Sequence, residues 1–124
     1  NTLFAWEMAG LKLAHLGDLG HVLTDEQVAA LAPPVDVLMI PVGGYYTIDA
    51  AQAVQVARQL QARVVLPMHV KTAALSRLPI AAVDDFLRAL PQGWEQQQPP
   101  TPTLTLKPED VPATGCRVIA LPYE

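Results

Sequence analysis

The chain reads as an α/β domain built on a largely parallel sheet, and three features predict this. Two near-continuous apolar runs, "VDVLMIP" and "ARVVLPMH", carry the β-branched residues of strands covered on both faces. Two helical patterns precede them, each opened by a capping residue. Connections in this strand-helix-strand-helix-strand order are short, which favours parallel pairing through right-handed crossovers.

The elements follow in order. Thr2 to Met8 and Leu11 to Leu16 are apolar-rich strands joined at Ala9-Gly10, where glycine tolerates the positive φ of a tight hairpin turn. In "LTDEQVAALAPP", Thr24 followed by Gln27 is a capping-box pattern, Asp25 and Glu26 suit the first turn, and Pro33-Pro34 stop the helix. Val35 to Pro41 forms the next strand and runs into the glycine loop "VGGYYT". Asp49 to Leu60 places Ala50, Ala53, Val54, Ala57 and Leu60 on one helical stripe, with Thr47 or Asp49 as cap. Beyond "ARVVLPMH", the stretch "PIAAVDDFLRAL" predicts a helix. Residues 92–103, rich in Pro and Gln, predict an extended surface connector. "LTLK" and "CRVIALPY" predict closing strands around a single helical turn, "PEDV". Residues 1–124 are expected to form one domain, since at this length roughly two thirds of the unfolded surface can be buried.

Composition excludes several functions. Net charge is −4, and no basic run interleaved with aromatics is present, so no nucleic-acid partner is expected. A single cysteine, Cys116, allows neither an intrachain disulfide nor a CxxC site and reads as a small core residue on a strand. No apolar run approaches the ~18 residues of a membrane span, and no basic-then-apolar leader opens the sequence. The chain therefore reads as soluble and cytoplasmic. At 51% hydrophobic and 16% charged it carries more apolar surface than a solitary small domain needs, which predicts a partner.

Candidate chemistry gathers at strand ends. In α/β sheets ligands lie beyond the carboxyl ends of strands, and three such ends carry "HLGD", "PVGG" and "PMH". Asp18, Gly43, Gly44 and His69 are thus expected on one rim. A carboxylate and an imidazole together suit zinc, manganese or iron, and an aspartate can bridge two metals about 3.5 to 4 Å apart that activate water for hydrolysis. A catalytic zinc takes about three protein ligands, so Asp18 and His69 alone fall short.

Each residue also has a plainer reading. Asp18 between glycines is equally a turn former, and His69 after a buried strand is equally a hydrogen-bonded core imidazole. His15 lies on a strand and faces either core or rim. His21 precedes the helix, which favours an orienting or helix-entry role over ligation. Gly43 and Gly44 make a tight strand-to-helix turn or cradle a phosphate, although no GxGxxG or P-loop pattern and no nearby Lys or Arg accompany them. Tyr45 or Tyr46 offers a phenol or ordinary loop packing, and Lys71 an anion contact or a solvated surface charge.

The order of the motifs carries more than any one of them. "HLGDLGHVLTDEQVAAL", then "VDVLMIPVGGYYTIDAAQAVQVARQLQARVVLPMHVKT", resembles the C-terminal half of metallo-β-lactamase-fold hydrolases. The resemblance is nearest to the subgroup of ascorbate-6-phosphate lactonase-like proteins and uncharacterised zinc-dependent hydrolases. It runs from about residue 1 to 72 and more loosely through "VDDFL" and the last strand. It implies that Asp18 bridges two metals, zinc or manganese, that His69 binds one, and that the substrate is a small ester, lactone or phosphorylated metabolite. The family's HxHxDH element is absent, so the resemblance implies half of an αββα sandwich: a hairpin, then β-α-β-α-β, a helix and closing strands. Such a half exposes the sheet face that packs on its twin. A homodimer or a complementary N-terminal half is therefore expected as partner. The rival expectation is a catalytically silent, self-associating module derived from that fold.

Overall fold

A computed structural model describes residues 2–44, 47–68 and 82–122. Its six-stranded sheet contains β1 (Phe4–Met8), β2 (Leu11–His15), β3 (Val37–Pro41), β4 (Val64–Met68), β5 (Glu95–Gln97) and β6 (Arg117–Ile119). They lie in the order β1-β2-β3-β4-β6-β5, and β1 alone runs antiparallel to its neighbour. The expected α/β architecture is present. No helix among the described residues is long and apolar enough to cross a membrane.

The hairpin turns through Ala9 (φ 54°) and Gly10 (φ 79°), both left-handed, as a two-residue type I′ loop requires. Alanine is poorly suited there, because its Cβ crowds the backbone at a cost of about 1 kcal/mol. Ala9→Asn is accordingly expected to stabilise the fold by about 0.5–1 kcal/mol in urea unfolding.

Helices α1 (Asp25–Leu31) and α2 (Ala50–Gln59) both begin with the reciprocal capping read from the sequence. Thr24 accepts from the Gln27 amide at 3.2 Å while Gln27 accepts from the Thr24 amide at 2.9 Å. Asp49, not Thr47, caps α2, with bonds of 2.9 and 3.0 Å exchanged with Gln52. Helix α3 (Val83–Arg88) occupies the later part of its expected span, whose earlier residues up to 81 lie outside the described ones.

Strand alternation sends two different surfaces from one sheet. Ala14, Leu38, Ile40, Val65 and Val118 join Leu31 of α1, Ala53, Val56 and Ala57 of α2, and Phe86 of α3 in one buried core. The opposite face carries Val37, Val64 and Ile119, covered by Leu104, Leu106, Val111 and Leu121. Towards the β1 edge, beside the Ala9-Gly10 turn and the amino ends of β2 and β3, that cover gives out. A cavity of about 360 Å³ opens there between Met8, Leu11, Leu13, Met39, Leu66 and the Leu104–Leu106 segment. Directly opposite His15, Leu13 and Leu11 in the β1–β2 ladder stand Phe4, Trp6 and Met8, which are 57%, 38% and 60% exposed.

Two expectations for the C-terminal third need correction. Residues 92–103 are not connector throughout, because Glu95–Gln97 pairs in parallel with β6 at the sheet edge. Glu95 is held by Arg117, whose Nε donates to its carboxylate at 3.2 Å, and Gln96 Nε2 donates to Leu87 O at 2.9 Å. "LTLK" forms no strand: Leu104 and Leu106 pack on the second face without ladder pairing. The helical turn at Pro108–Asp110 is present as a 3₁₀ turn.

Cys116 is buried beside the start of β6, and burial pushes its thiol up to about 12 from 9.0, partly offset by the Arg63 cation. The thiol is therefore inert, since the thiolate is the reactive form. Because the unfolded thiol ionises near pH 9 and the folded one does not, its contribution to stability is present below pH 9 and is lost as pH rises towards 12. Urea midpoints measured from pH 8 to 11 should fall less steeply in Cys116→Ala than in the native chain.

Candidate functional site

The parallel strands β2, β3 and β4 end side by side. Ladder bonding continues just past them, with Leu16 N donating to Met39 O and Val42 N to Met68 O, both at 3.0 Å. Strand spacing of about 4.8 Å puts the ends of β2 and β4 about 10 Å apart, with β3 between. Asp18 follows β2 and His69 follows β4 in sequence; His69, Tyr45, Tyr46 and Lys71 lie outside the described residues.

Asp18 sits at the tip of a tight turn. Leu19 N donates to Leu16 O at 3.2 Å, so Gly17 and Asp18 are the two central residues. Gly17 has φ +56°, as the first central position of a type II′ turn requires. The flanking leucines are 0% and 1% exposed and anchor the turn in the helix-side core, while Asp18 itself is exposed. A single carboxylate is thus presented on a backbone held at both ends.

The next loop is stitched to this one. Ile48 N donates to Leu19 O at 2.9 Å, and Gly44 N donates to Ile48 O at 3.2 Å. Gly43 is buried, and Gly44 adopts φ +93°, a conformation L side chains rarely take. Thr47 is buried, and its hydroxyl donates to Ile48 O at 3.5 Å. At the N-terminus of α2 the Asp49 carboxylate already accepts the Gln52 amide, so a phosphate cradled by Gly43 and Gly44 would meet a negative charge there.

The histidines divide by environment. His15 is half-buried on the open sheet face beside Phe4 and Trp6, and its Nδ1 accepts from Gly17 N–H at 3.1 Å. Exposed His21 donates from Nδ1 to the carbonyl of Val22 at 2.8 Å, which leaves Nε2 unprotonated in the neutral ring. Among the described residues no group of three or more His, Cys, Asp or Glu could hold a metal ion. The donor chemistry of the rim is compatible with one part of a metal centre: the exposed Asp18 carboxylate is of a type that could serve as an oxygen ligand, and a three-ligand set would need donors from outside the described residues.

Sequence reasoning missed the link between His15 and Gly17 and the aromatic patch beside it. The signal for the patch was present: Phe4, Trp6 and Met8 alternate along one strand.

Comparison with known proteins bears on the same region. The model described as "Beta-lactamase superfamily domain" matches residues 1–69. A UPF0173 metal-dependent hydrolase of Carboxydothermus hydrogenoformans is 31% identical over 87 residues, which is 70% of this chain and 38% of that protein. One of Archaeoglobus fulgidus is 35% identical over 89 residues, 70% of this chain and 36% of its own length. The crystal structure of a provisionally assigned Zn-dependent hydrolase of the metallo-β-lactamase superfamily from Thermotoga maritima superposes with a TM-score of 0.79 at 40% identity. It covers 96% of this chain, which spans 57% of it.

Proposed function

We propose a function from one premise: the chain belongs to the β-lactamase superfamily. It supplies one edge of the active centre of a metal-dependent hydrolase, with Asp18 bridging two ions and His69 binding one. A bound zinc or manganese pair would polarise the scissile bond and activate the attacking water. The substrate is a small ester, lactone or phosphorylated metabolite, selected in part by the Gly43–Gly44 loop and Tyr45, with Lys71 available to an anionic group. The observation that carries this reading is the Leu16–Leu19 turn, whose buried leucines fix Asp18 at the carboxyl edge of the parallel strands.

The test is metal content after dialysis against zinc at neutral pH. Zinc uptake by the native chain, reduced at least tenfold in both Asp18→Ala and His69→Ala, is the expected result, since each removes a direct ligand. Zinc retained in Asp18→Ala would overturn the bridging role.

A second reading is favoured by one observation, the exposure of Phe4, Trp6 and Met8 on the open sheet face. On this reading the 124-residue chain is a silent module that associates through its open sheet face. A native chain free of zinc under the same conditions supports it. In both readings a second apolar layer covers Leu13, Met39 and Leu66, and for the chain on its own that layer is a second copy.

A further inference from the structure

We propose that His15 is the positioning residue for Asp18: its Nδ1 lone pair holds the Gly17 amide and so fixes the turn that presents the carboxylate. The ends of this turn are immobilised by other means. Leu16 is tied to Met39, Leu19 accepts from Ile48, and both leucines are buried. Between them stands Gly17, the residue type with the widest choice of backbone conformations. At the first central position its N–H takes no part in the turn's own bond between Leu19 and Leu16, and it is this N–H that donates to His15 at 3.1 Å. The imidazole thus restrains the joint immediately before Asp18.

The same bond assigns the ring a state. An Nδ1 that accepts from an amide carries no proton, so neutral His15 bears its hydrogen on Nε2. Neither nitrogen is then open to a metal ion: Nδ1 is occupied and Nε2 is a donor. His15 serves the rim through the backbone and is not itself a ligand, which separates it from Asp18 and, in the proposed centre, from His69.

The experiment compares the full 124-residue chain with His15→Leu and His15→Asn. Asparagine places a carbonyl oxygen close to where Nδ1 stands and can accept the same amide; leucine cannot. Imidazole ¹⁵N shifts of the native chain should report an unprotonated Nδ1. Hydrogen exchange at Gly17 should accelerate on the order of tenfold in His15→Leu, the effect of one lost hydrogen bond, and return towards the native rate in His15→Asn. Zinc affinity, measured against a competing chelator, should fall about 10- to 100-fold in His15→Leu and recover in His15→Asn. Thermal unfolding of both variants separates these effects from loss of the fold.

Native exchange at Gly17 in a folded His15→Leu, or a protonated Nδ1, overturns the proposal, as does an asparagine variant no better than leucine. Only the affinity measurement rests on the reading of Asp18 as a ligand. If the native chain takes up no zinc, or Asp18→Ala keeps it, that reading fails, while the exchange and ¹⁵N results still decide the role of His15.

Discussion

Phe86→Ala is expected to remove about 3–5 kcal/mol of stability and to release α3 from the sheet. The ring is 0% exposed and sits in the same core as Leu38, Val65 and Val118. Helix α3 has only six residues, far below the length at which a helix persists alone, and its cap residue Ala82 offers no side-chain bond. Its other supports are small. The Arg88–Asp85 ion pair is exposed and contributes less than about 1 kcal/mol, and Gln96 satisfies one terminal carbonyl. Two buried side chains, Phe86 and Leu87, therefore hold the element. Against a domain stability of about 5–15 kcal/mol, losing one of them is a large fraction. Urea unfolding should show the loss, with the α3 amides exchanging far faster than those of β3. Asp85→Ala, by contrast, should shift the midpoint little. A loss below about 1 kcal/mol in Phe86→Ala would mean that α3 is held by something other than its buried face.

What the sequence disclosed depended on how local the determinant was. Both capping boxes were legible because cap and partner lie three residues apart, and Thr24–Gln27 and Asp49–Gln52 form as read. The central strands were legible because burial on both faces demands an unbroken apolar run, as in Val37–Pro41. Strand β5 had no such signal: its residues are exposed, and its place is set by β6 and by Arg117, more than twenty residues downstream of Glu95. "LTLK" misled for a related reason. Alternation reports which side of a segment packs inward, and Leu104 and Leu106 are half-buried against the sheet without joining it. At the rim, "GD" announced a turn with a carboxylate at its tip. The part played by His15 stayed hidden, because a histidine at a strand end can point to either face and only the backbone geometry of Gly17 decides what it meets.

The open sheet face carries the second large effect. At tens of micromolar the 124-residue chain is expected to sediment near twice its 13.4 kDa, and Leu13→Glu combined with Met39→Glu should return it to one copy without unfolding. Phe4, Trp6 and Met8 project from this face at 57%, 38% and 60% exposure. Covering each contributes about 1–2 kcal/mol, or ~6–12 kcal/mol for two copies. Association costs ~4–15 kcal/mol before any gain appears, so these three side chains alone give weak binding at best. The balance turns on Leu13, Met39 and Leu66 around the cavity, whose burial against a second sheet about 10 Å away adds to the interface. Glutamates at positions 13 and 39 would place charges in that layer with no partner, a penalty large enough to dissociate it, while the helix-side core, built from the alternate residues, is untouched. Helical circular dichroism should therefore survive in the double variant. A native chain that sediments as one copy and binds no apolar dye would show that this face needs no cover, and the expectation of a second layer would fall with it.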